Sequence, residues 1–209
     1  QSVGKLNVDV NAMGVDLLSI AGHKLYAPKG IGVLYVRRGI DVPSVLVGAG
    51  QEHGRRPGTE NVAFIVALGE ACRLARTKLS ATTLHMTQMR DRLLAQLHAD
   101  IPDLLLAGHP TERLPNTLNV LFPDVSGRLL LEACPQVFAS TGSACHADRE
   151  DPSAILLALG IAPEQALGAV RLSVGRLTTI NDIDTAAAHL TSAWQQVRQA
   201  APARLTSVP

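Results

Sequence analysis

Two strand-length apolar runs, followed by two long helical patterns, constrain the fold of this 209-residue chain more than any other feature. Residues 15–21 (VDLLSIA) and 31–36 (IGVLYV) have the length and the β-branched content of buried strands. The turn sequence APKG at residues 27–30 lies between them, so they can pair as a hairpin at the edge of a larger sheet. Two strands followed by two long helices predict a sheet that is packed against helices in the first part of the chain.

Two helical patterns follow a glycine-rich, charged loop at residues 48–59. Residues 61–78 are broadly apolar, as expected of a helix packed within an interface. Residues 82–99 predict an amphipathic helix that ends before Pro102, with one stripe made of Met86, Met89, Leu93 and Leu97.

The second half of the chain alternates more quickly between short elements. Strands are predicted at residues 116–122, 137–140 and 169–174, short helices at 127–133 and 152–159, and a long helix at 180–199. Thr179 is the expected N-cap of the last helix, with Asp182 three positions later. We therefore predict three parts: a sheet-containing domain at residues 1–95, a small α+β domain at 96–200, and a flexible tail at 201–209.

Composition excludes several function classes. The formal net charge is +1 with both signs interspersed, and aromatic residues make up 3% of the chain, which argues against a nucleic-acid or membrane-surface partner. No apolar run reaches the roughly 18 residues of a membrane-spanning helix. Three scattered cysteines, Cys72, Cys134 and Cys145, do not form a disulfide framework or a zinc site. A globular cytoplasmic protein without a metal site is expected.

Three residues draw attention for their chemistry. Lys24 directly follows a predicted strand, although a solvated turn lysine would give the same local pattern. Cys145 lies among small polar residues next to His146, which favours a reactive thiolate, whereas Cys72 and Cys134 lie in apolar surroundings typical of inert thiols.

Arg171 interrupts an apolar alternation, so its guanidinium needs a partner such as a carboxylate.

Five ordered segments carry a resemblance to a known family. The stretch AGHKLYAPKGIGVLYVRR at residues 21–38 resembles the cofactor-lysine segment of the cysteine desulfurases, a family within class V of the fold-type-I pyridoxal-phosphate enzymes. The other segments are RPGTEN (56–61), LPNTLNV (114–120), STGSACHAD (140–148) and AVRLSVGR (169–176). Their order and spacing are similar to those of the family over nearly the whole chain.

The resemblance implies a role for each matching residue. Lys24 would form the Schiff base with pyridoxal 5'-phosphate, and Cys145 would form the persulfide. His23 and Thr59 would contact the cofactor phosphate, with Thr59 reaching across a homodimer interface. Arg171 would bind the substrate α-carboxylate.

Two further positions are assigned by the resemblance. Asn116 would line the substrate pocket or simply hold the turn after Pro115. Gln1 lies 24 − 1 = 23 positions before Lys24, which matches a family glutamine that bonds the hydroxyl of the cofactor ring. The family's pyridine-binding aspartate and ring-stacking histidine lie upstream of that glutamine. The resemblance therefore implies an α/β fold, the C-terminal part of a pyridoxal-phosphate transferase fold, from a protein roughly twice this length. We expect this part alone to bind the cofactor poorly.

The implied reaction is the conversion of L-cysteine to L-alanine, with sulfur passed through the persulfide to an acceptor protein, for example in iron–sulfur cluster assembly. Ala21, where many desulfurases carry a phosphate-binding serine, and the motif CHAD at residues 145–148 lean towards a selenocysteine lyase. A class-V aminotransferase and a truncated, non-catalytic interaction module are the remaining alternatives.

Overall fold

The expected hairpin is present at the start of the computed structural model, which describes residues 1–141 and 151–200. Strand β1 (Leu17–Ala21) pairs antiparallel with β2 (Gly32–Val36). The prediction that both strands are buried is wrong for this chain: Leu17 and Leu34 are about half exposed, at 47% and 52%. The reason is that, among the described residues, β1 and β2 form a sheet of two strands with each other alone.

Helix α1 (Val62–Thr77) confirms the first helical prediction. It begins after Asn61, whose side-chain oxygen accepts a hydrogen bond from the backbone N–H of Phe64 at 3.2 Å and so caps the helix. The helix buries Leu68 and Ala71 and contacts the turn that links β1 to β2. That turn carries Lys24, so α1 packs against the segment of the hairpin that holds this lysine.

Helix α2 (Leu79–Asp100) contains the predicted amphipathic stripe, all of which is buried. The chain divides into two compact units near the start of this helix, between Thr82 and Thr83. The assignment of domains to residues 1–95 and 96–200 stays a prediction. Within residues 1–141 and 151–200, no helix combines the length and the apolar content that crossing a bilayer requires.

The second unit is built on an antiparallel sheet in the order β3 (Leu105–Leu106), β4 (Thr117–Leu121) and β5 (Ala169–Ser173). Strands β4 and β5 were expected, whereas β3 was not. The strand predicted at residues 137–140 is reduced to a single bridge between Ser140 and Arg171. After α2, the described residues of this unit form the helices α3 (Gly127–Glu132), α4 (Ala154–Ala158), α5 (Pro163–Leu167) and α6 (Ile180–Ala200).

One face of this sheet forms the main core of the second unit. Side chains two residues apart on a strand share a face, and here Leu118 and Val120 of β4 join Val170 and Leu172 of β5 against residues of α2 and α6. Helix α6 starts with the predicted cap, since the backbone N–H of Asp182 donates to the Thr179 hydroxyl at 3.1 Å and the Asp182 carboxylate accepts from the Thr179 N–H at 2.8 Å.

The opposite face of β4 and β5 is divided into an apolar end and a polar end. At the apolar end, the paired residues Leu121 and Ala169 pack with side chains of α4 and α5. At the polar end, Asn119 lies opposite Arg171, and the next pair is Thr117 with Ser173. The register of the two strands therefore places Arg171 at the polar end of the sheet face.

Candidate active site

Lys24 lies in a 3-10 turn, Gly22–Leu25, that joins β1 to the loop before β2. The backbone N–H of Gly22 donates to the carbonyl of Ile31 at 2.9 Å, and the N–H of Ala27 donates to the carbonyl of Gly22 at 3.1 Å. A Cβ atom at Gly22 would stand 2.7 Å from that Ile31 oxygen, so only glycine fits. Leu25 is buried at 4% exposure while Lys24 is exposed. The turn thus holds its backbone in place and leaves the amine accessible.

A pocket of about 220 Å³ lies beside this turn, within the first unit. Gln1 and Lys24 both line it, so the structure brings these two predicted site residues together. The hydroxyl-bearing Ser19 lies on β1 two residues before Ala21, and the complete lining is Gln1, Val3, Ser19, Ile20, Ala21, Lys24 and Leu25. The pocket is therefore lined both by side chains that can donate hydrogen bonds and by apolar side chains.

Lys5 is a buried charged residue that the sequence reasoning missed. It is 9% exposed, and its ammonium nitrogen Nζ donates to the backbone carbonyls of Gln1 at 3.1 Å and Lys24 at 3.4 Å. Burial, and to a smaller degree the positive charge of Lys24, lowers the pKa of Lys5. The signal available in the sequence was only a lysine between Gly4 and Leu6, which is weak because most lysines are solvated.

His23 and Thr59, the predicted phosphate contacts, are both exposed and neither is among the residues that line the Lys24 pocket. Thr59 belongs to a loop that Arg56 shapes, because its guanidinium donates to the carbonyls of Gly58 at 3.0 Å and Thr59 at 3.2 Å. Arg56 therefore positions this loop. The contact of Thr59 across a dimer interface stays a prediction.

In the second unit, the side chain of Arg171 is exposed at the polar end of the sheet face. Asn116 is 9% exposed, and its carbonyl accepts from the N–H of Val174 at 3.0 Å while its side-chain amide donates to the Val174 carbonyl at 3.4 Å. These bonds tie the start of β4 to the end of β5. They support the structural alternative for Asn116, and its place in a substrate pocket stays a prediction.

The structure describes two of the three cysteines in the sequence. Cys145, the predicted nucleophile, lies outside the described residues. Cys134 is 1% exposed, and burial raises the pKa of its thiol, which matches the inert role expected for it. Cys72 on α1 is half-buried. Across residues 1–141 and 151–200, no group of three His, Cys, Asp or Glu side chains is arranged to hold a metal ion.

Comparison with known proteins assigns the chain to a family. Residues 1–185 match the model of the class-V aminotransferase family, and the chain belongs to this family. Over 204 residues it is 41% identical to a protein named cysteine desulfurase IscS from Methanosarcina thermophila, a match that covers 97% of this chain and 50% of the relative. The chain spans about half the length of the curated relatives it matches.

Solved structures give the same result for the fold. A NifS-like protein superposes with a TM-score of 0.83 at 29% identity, covering 94% of this chain and 51% of that one. A structure described as SspA in complex with cysteine superposes with a TM-score of 0.63 at 30% identity, over 86% of this chain and 49% of that one. The predicted fold, the C-terminal part of a pyridoxal-phosphate transferase fold, is confirmed.

The family implies pyridoxal 5'-phosphate as the cofactor, and the pocket beside Lys24 has the chemistry for such a group. Its polar lining residues supply an amine from Lys24, an amide from Gln1 and a hydroxyl from Ser19, and none of its lining residues is a carboxylate. Val3, Ile20 and Leu25 supply an apolar surface for a ring. An anionic cofactor with an aromatic ring is compatible with this set of donors and apolar side chains.

Proposed function

We propose that this chain is the C-terminal half of a pyridoxal-phosphate-dependent cysteine desulfurase, which converts L-cysteine to L-alanine and transfers the sulfur to Cys145. The observation that carries the proposal is the exposed amine of Lys24, mounted on a hydrogen-bonded turn at the wall of a pocket that Gln1 also lines. The names of the relatives support the same activity, and the cysteine complex of SspA supports the substrate.

The residues that would hold the cofactor are Lys24, Gln1, His23 and Thr59. When bound, pyridoxal 5'-phosphate supplies an electron sink for the substrate carbon. Lys24 takes up the proton from the substrate Cα and later returns a proton to carbon, as a general base and then a general acid. A group that carries protons must come within hydrogen-bonding reach of the atoms that give and receive them. The exposed amine of Lys24 beside the pocket is suited to this role.

Arg171 would hold the substrate through its α-carboxylate. A guanidinium matches a carboxylate with two parallel hydrogen bonds, which fixes both position and orientation. The side chain is available for this, because it is exposed beside polar neighbours on the sheet rather than packed in the core.

Sulfur transfer is assigned to Cys145. Its thiolate attacks the substrate sulfur, a sulfur–sulfur bond forms, and the Cβ–S bond of the substrate breaks with its electron pair left on carbon. Protonation of the carbon product gives L-alanine, and the enzyme keeps a persulfide for an acceptor protein.

We also propose a homodimer and a cytoplasmic location. In the first unit, Val45 and Val47 are 94% and 98% exposed, and Val62 and Val66 on α1 are each 65% exposed. Apolar side chains exposed to this degree favour a further protein surface over them. The cytoplasmic location is supported by the scattered cysteines, which fit a reducing compartment.

The test uses the full-length protein that contains this chain, loaded with cofactor and supplied with L-cysteine and a thiol reductant. Alanine and sulfide are measured for the wild type, Lys24→Ala and Cys145→Ala, with Lys78→Ala and Cys72→Ala as controls on an exposed lysine and a half-buried cysteine. Loss of both products in the first two variants, and their retention in the controls, is the expected result.

Other outcomes separate the alternatives. Activity of Cys145→Ala equal to that of the wild type, with L-cysteine converted to a 2-oxo acid when a second 2-oxo acid is added as the amino-group acceptor, would assign an aminotransferase. Ala21 favours a selenocysteine lyase because many desulfurases carry a phosphate-binding serine at this position. Since Ala21 lines the pocket, selenocysteine lyase activity is the second candidate function. Turnover of L-selenocysteine with little or no turnover of L-cysteine would assign that activity.

A further inference from the structure

We propose that Lys5 is a positioning residue that sets the spacing between Gln1 and Lys24 at the wall of the cofactor pocket. The inference rests on the proposed function, because it gives Lys5 a task in holding the cofactor-binding residues. Lys5 is not among the residues that line the pocket, so it acts through the two residues that do.

The first argument is the pair of hydrogen bonds made by one ammonium group. Lys5 Nζ donates to the carbonyl of Gln1 at 3.1 Å and to that of Lys24 at 3.4 Å. An ammonium carries three donors, so it can bind both carbonyls at once. These carbonyls belong to segments 23 positions apart in the sequence (24 − 1 = 23), and the ammonium therefore links the backbones of two pocket residues directly.

The second argument is the tight turn that brings Lys5 to this place. The N–H groups of Lys5 and Leu6 both donate to the carbonyl of Ser2 at 2.9 Å. Gly4 has a φ of +78°, and a Cβ atom there would stand 2.7 Å from Leu25 Cδ2 and 3.3 Å from Ala75 Cβ. The turn thus packs closely against Leu25, the residue after Lys24, and its positive φ at Gly4 favours glycine.

The third argument is the cost of burying the charge. An ammonium loses hydration when it is buried, and desolvation is the main cause of the lowered pKa of Lys5. An apolar side chain of similar length would fill the same space without that cost. Among the contacts of the ammonium are two directed bonds that an apolar side chain cannot make, and these bonds link the backbones of Gln1 and Lys24.

The experiment compares Lys5→Met and Lys5→Arg with the wild type in the full-length protein, with Lys78→Met as the matched change at an exposed lysine of the same unit. The readouts are the dissociation constant for pyridoxal 5'-phosphate, the induced circular dichroism of the bound cofactor, and the melting temperature of the cofactor-free protein. Lys5→Met is expected to bind the cofactor about tenfold more weakly, because hydrogen bonds to a charged donor are lost, and to alter the dichroism. Lys5→Arg should recover most of both, and Lys78→Met should match the wild type.

Unchanged cofactor affinity and dichroism in Lys5→Met would overturn the inference while leaving the proposed function intact. Equal losses in Lys5→Met and Lys5→Arg would also overturn it, since the restored charge would then have no effect. If Lys5→Met does not fold, Lys5→Gln replaces it with the same two expectations. A wild-type protein that binds no cofactor at Lys24 would instead contradict the proposed function, which distinguishes the two failures.

Discussion

Ser140 and Arg171 exchange two backbone hydrogen bonds, from the N–H of Arg171 to the Ser140 carbonyl at 2.7 Å and from the N–H of Ser140 to the Arg171 carbonyl at 3.4 Å. The first residue of the segment STGSACHAD is thereby attached to the strand that carries the proposed substrate-binding arginine. Cys145 follows Ser140 by five residues in the sequence. The described start of the segment that leads to Cys145 is therefore hydrogen-bonded to the strand that carries Arg171.

Replacing Arg171 should impair substrate binding more than stability. Arg171→Met is expected to raise the KM for L-cysteine by about tenfold or more, because a charge-assisted bond to the carboxylate is lost. The melting temperature should change little, since the side chain is exposed. Steady-state kinetics and thermal melts check this, with Arg128→Met as a control at an exposed helical arginine. An unchanged KM would remove Arg171 from the substrate site.

Thiol labelling should rank the cysteines by burial. Cys134 is 1% exposed and burial raises its pKa, so it should resist a thiol-specific reagent in the folded protein and react only on unfolding. The half-buried Cys72 should react sooner. Mass spectrometry of time points with and without denaturant measures both rates. Reaction of Cys134 as fast as that of Cys72 in the native protein would contradict the described packing.

The link between α2 and α6 should weaken in acid. The Asp184 carboxylate accepts from the Arg92 guanidinium at 2.6 and 2.8 Å and from the Gln96 amide at 2.8 Å, and these hydrogen bonds lower the pKa of Asp184. A carboxylate whose pKa is lower in the folded state stabilises the fold above its unfolded pKa of about 3.9. That stabilisation is lost as the pH falls from this value through the lower, folded pKa.

The corresponding measurement is urea unfolding of Asp184→Asn and the wild type at neutral pH and in acid, followed by the fluorescence of Trp194, the single tryptophan in these 209 residues. The variant should unfold at lower urea at pH 7, and the difference should shrink in acid. Asp151→Asn, at an exposed aspartate of the same unit, is the control. A difference of the same size at both pH values would show that the charge is not responsible.

Two leucines on α2 should respond very differently to truncation. Leu97 is 0% exposed within the main core, so Leu97→Ala should lower the free energy of unfolding by about 2–5 kcal/mol through lost burial and the cavity left behind. Leu84 is 60% exposed, and Leu84→Ala should change it by less than about 0.5 kcal/mol. Urea unfolding curves give both values. Similar losses in the two variants would contradict the orientation of the helix.

Much of the fold could be predicted because its signals are local. The stripe on α2 and the cap of α6 depend on residues three or four positions apart, and both are confirmed. The two-residue strand β3 and the short helix α5 were missed, since elements of this length have no complete period to recognise. The burial of β1 and β2 was mispredicted, because an apolar run shows that a strand can be buried but not which partner covers it.

By itself, the sequence determined the hairpin, the three long helices, strands β4 and β5, and the ordered motifs that assign the chain to its family and mark Lys24. Tertiary structure alone decided that Lys5 binds the carbonyls of Gln1 and Lys24, and that Asn116 is bonded to Val174. The physical reason is that periodicity and turn chemistry act between near neighbours. A buried polar group instead finds its partner among residues that are distant in sequence, and only the folded chain brings them within hydrogen-bonding distance.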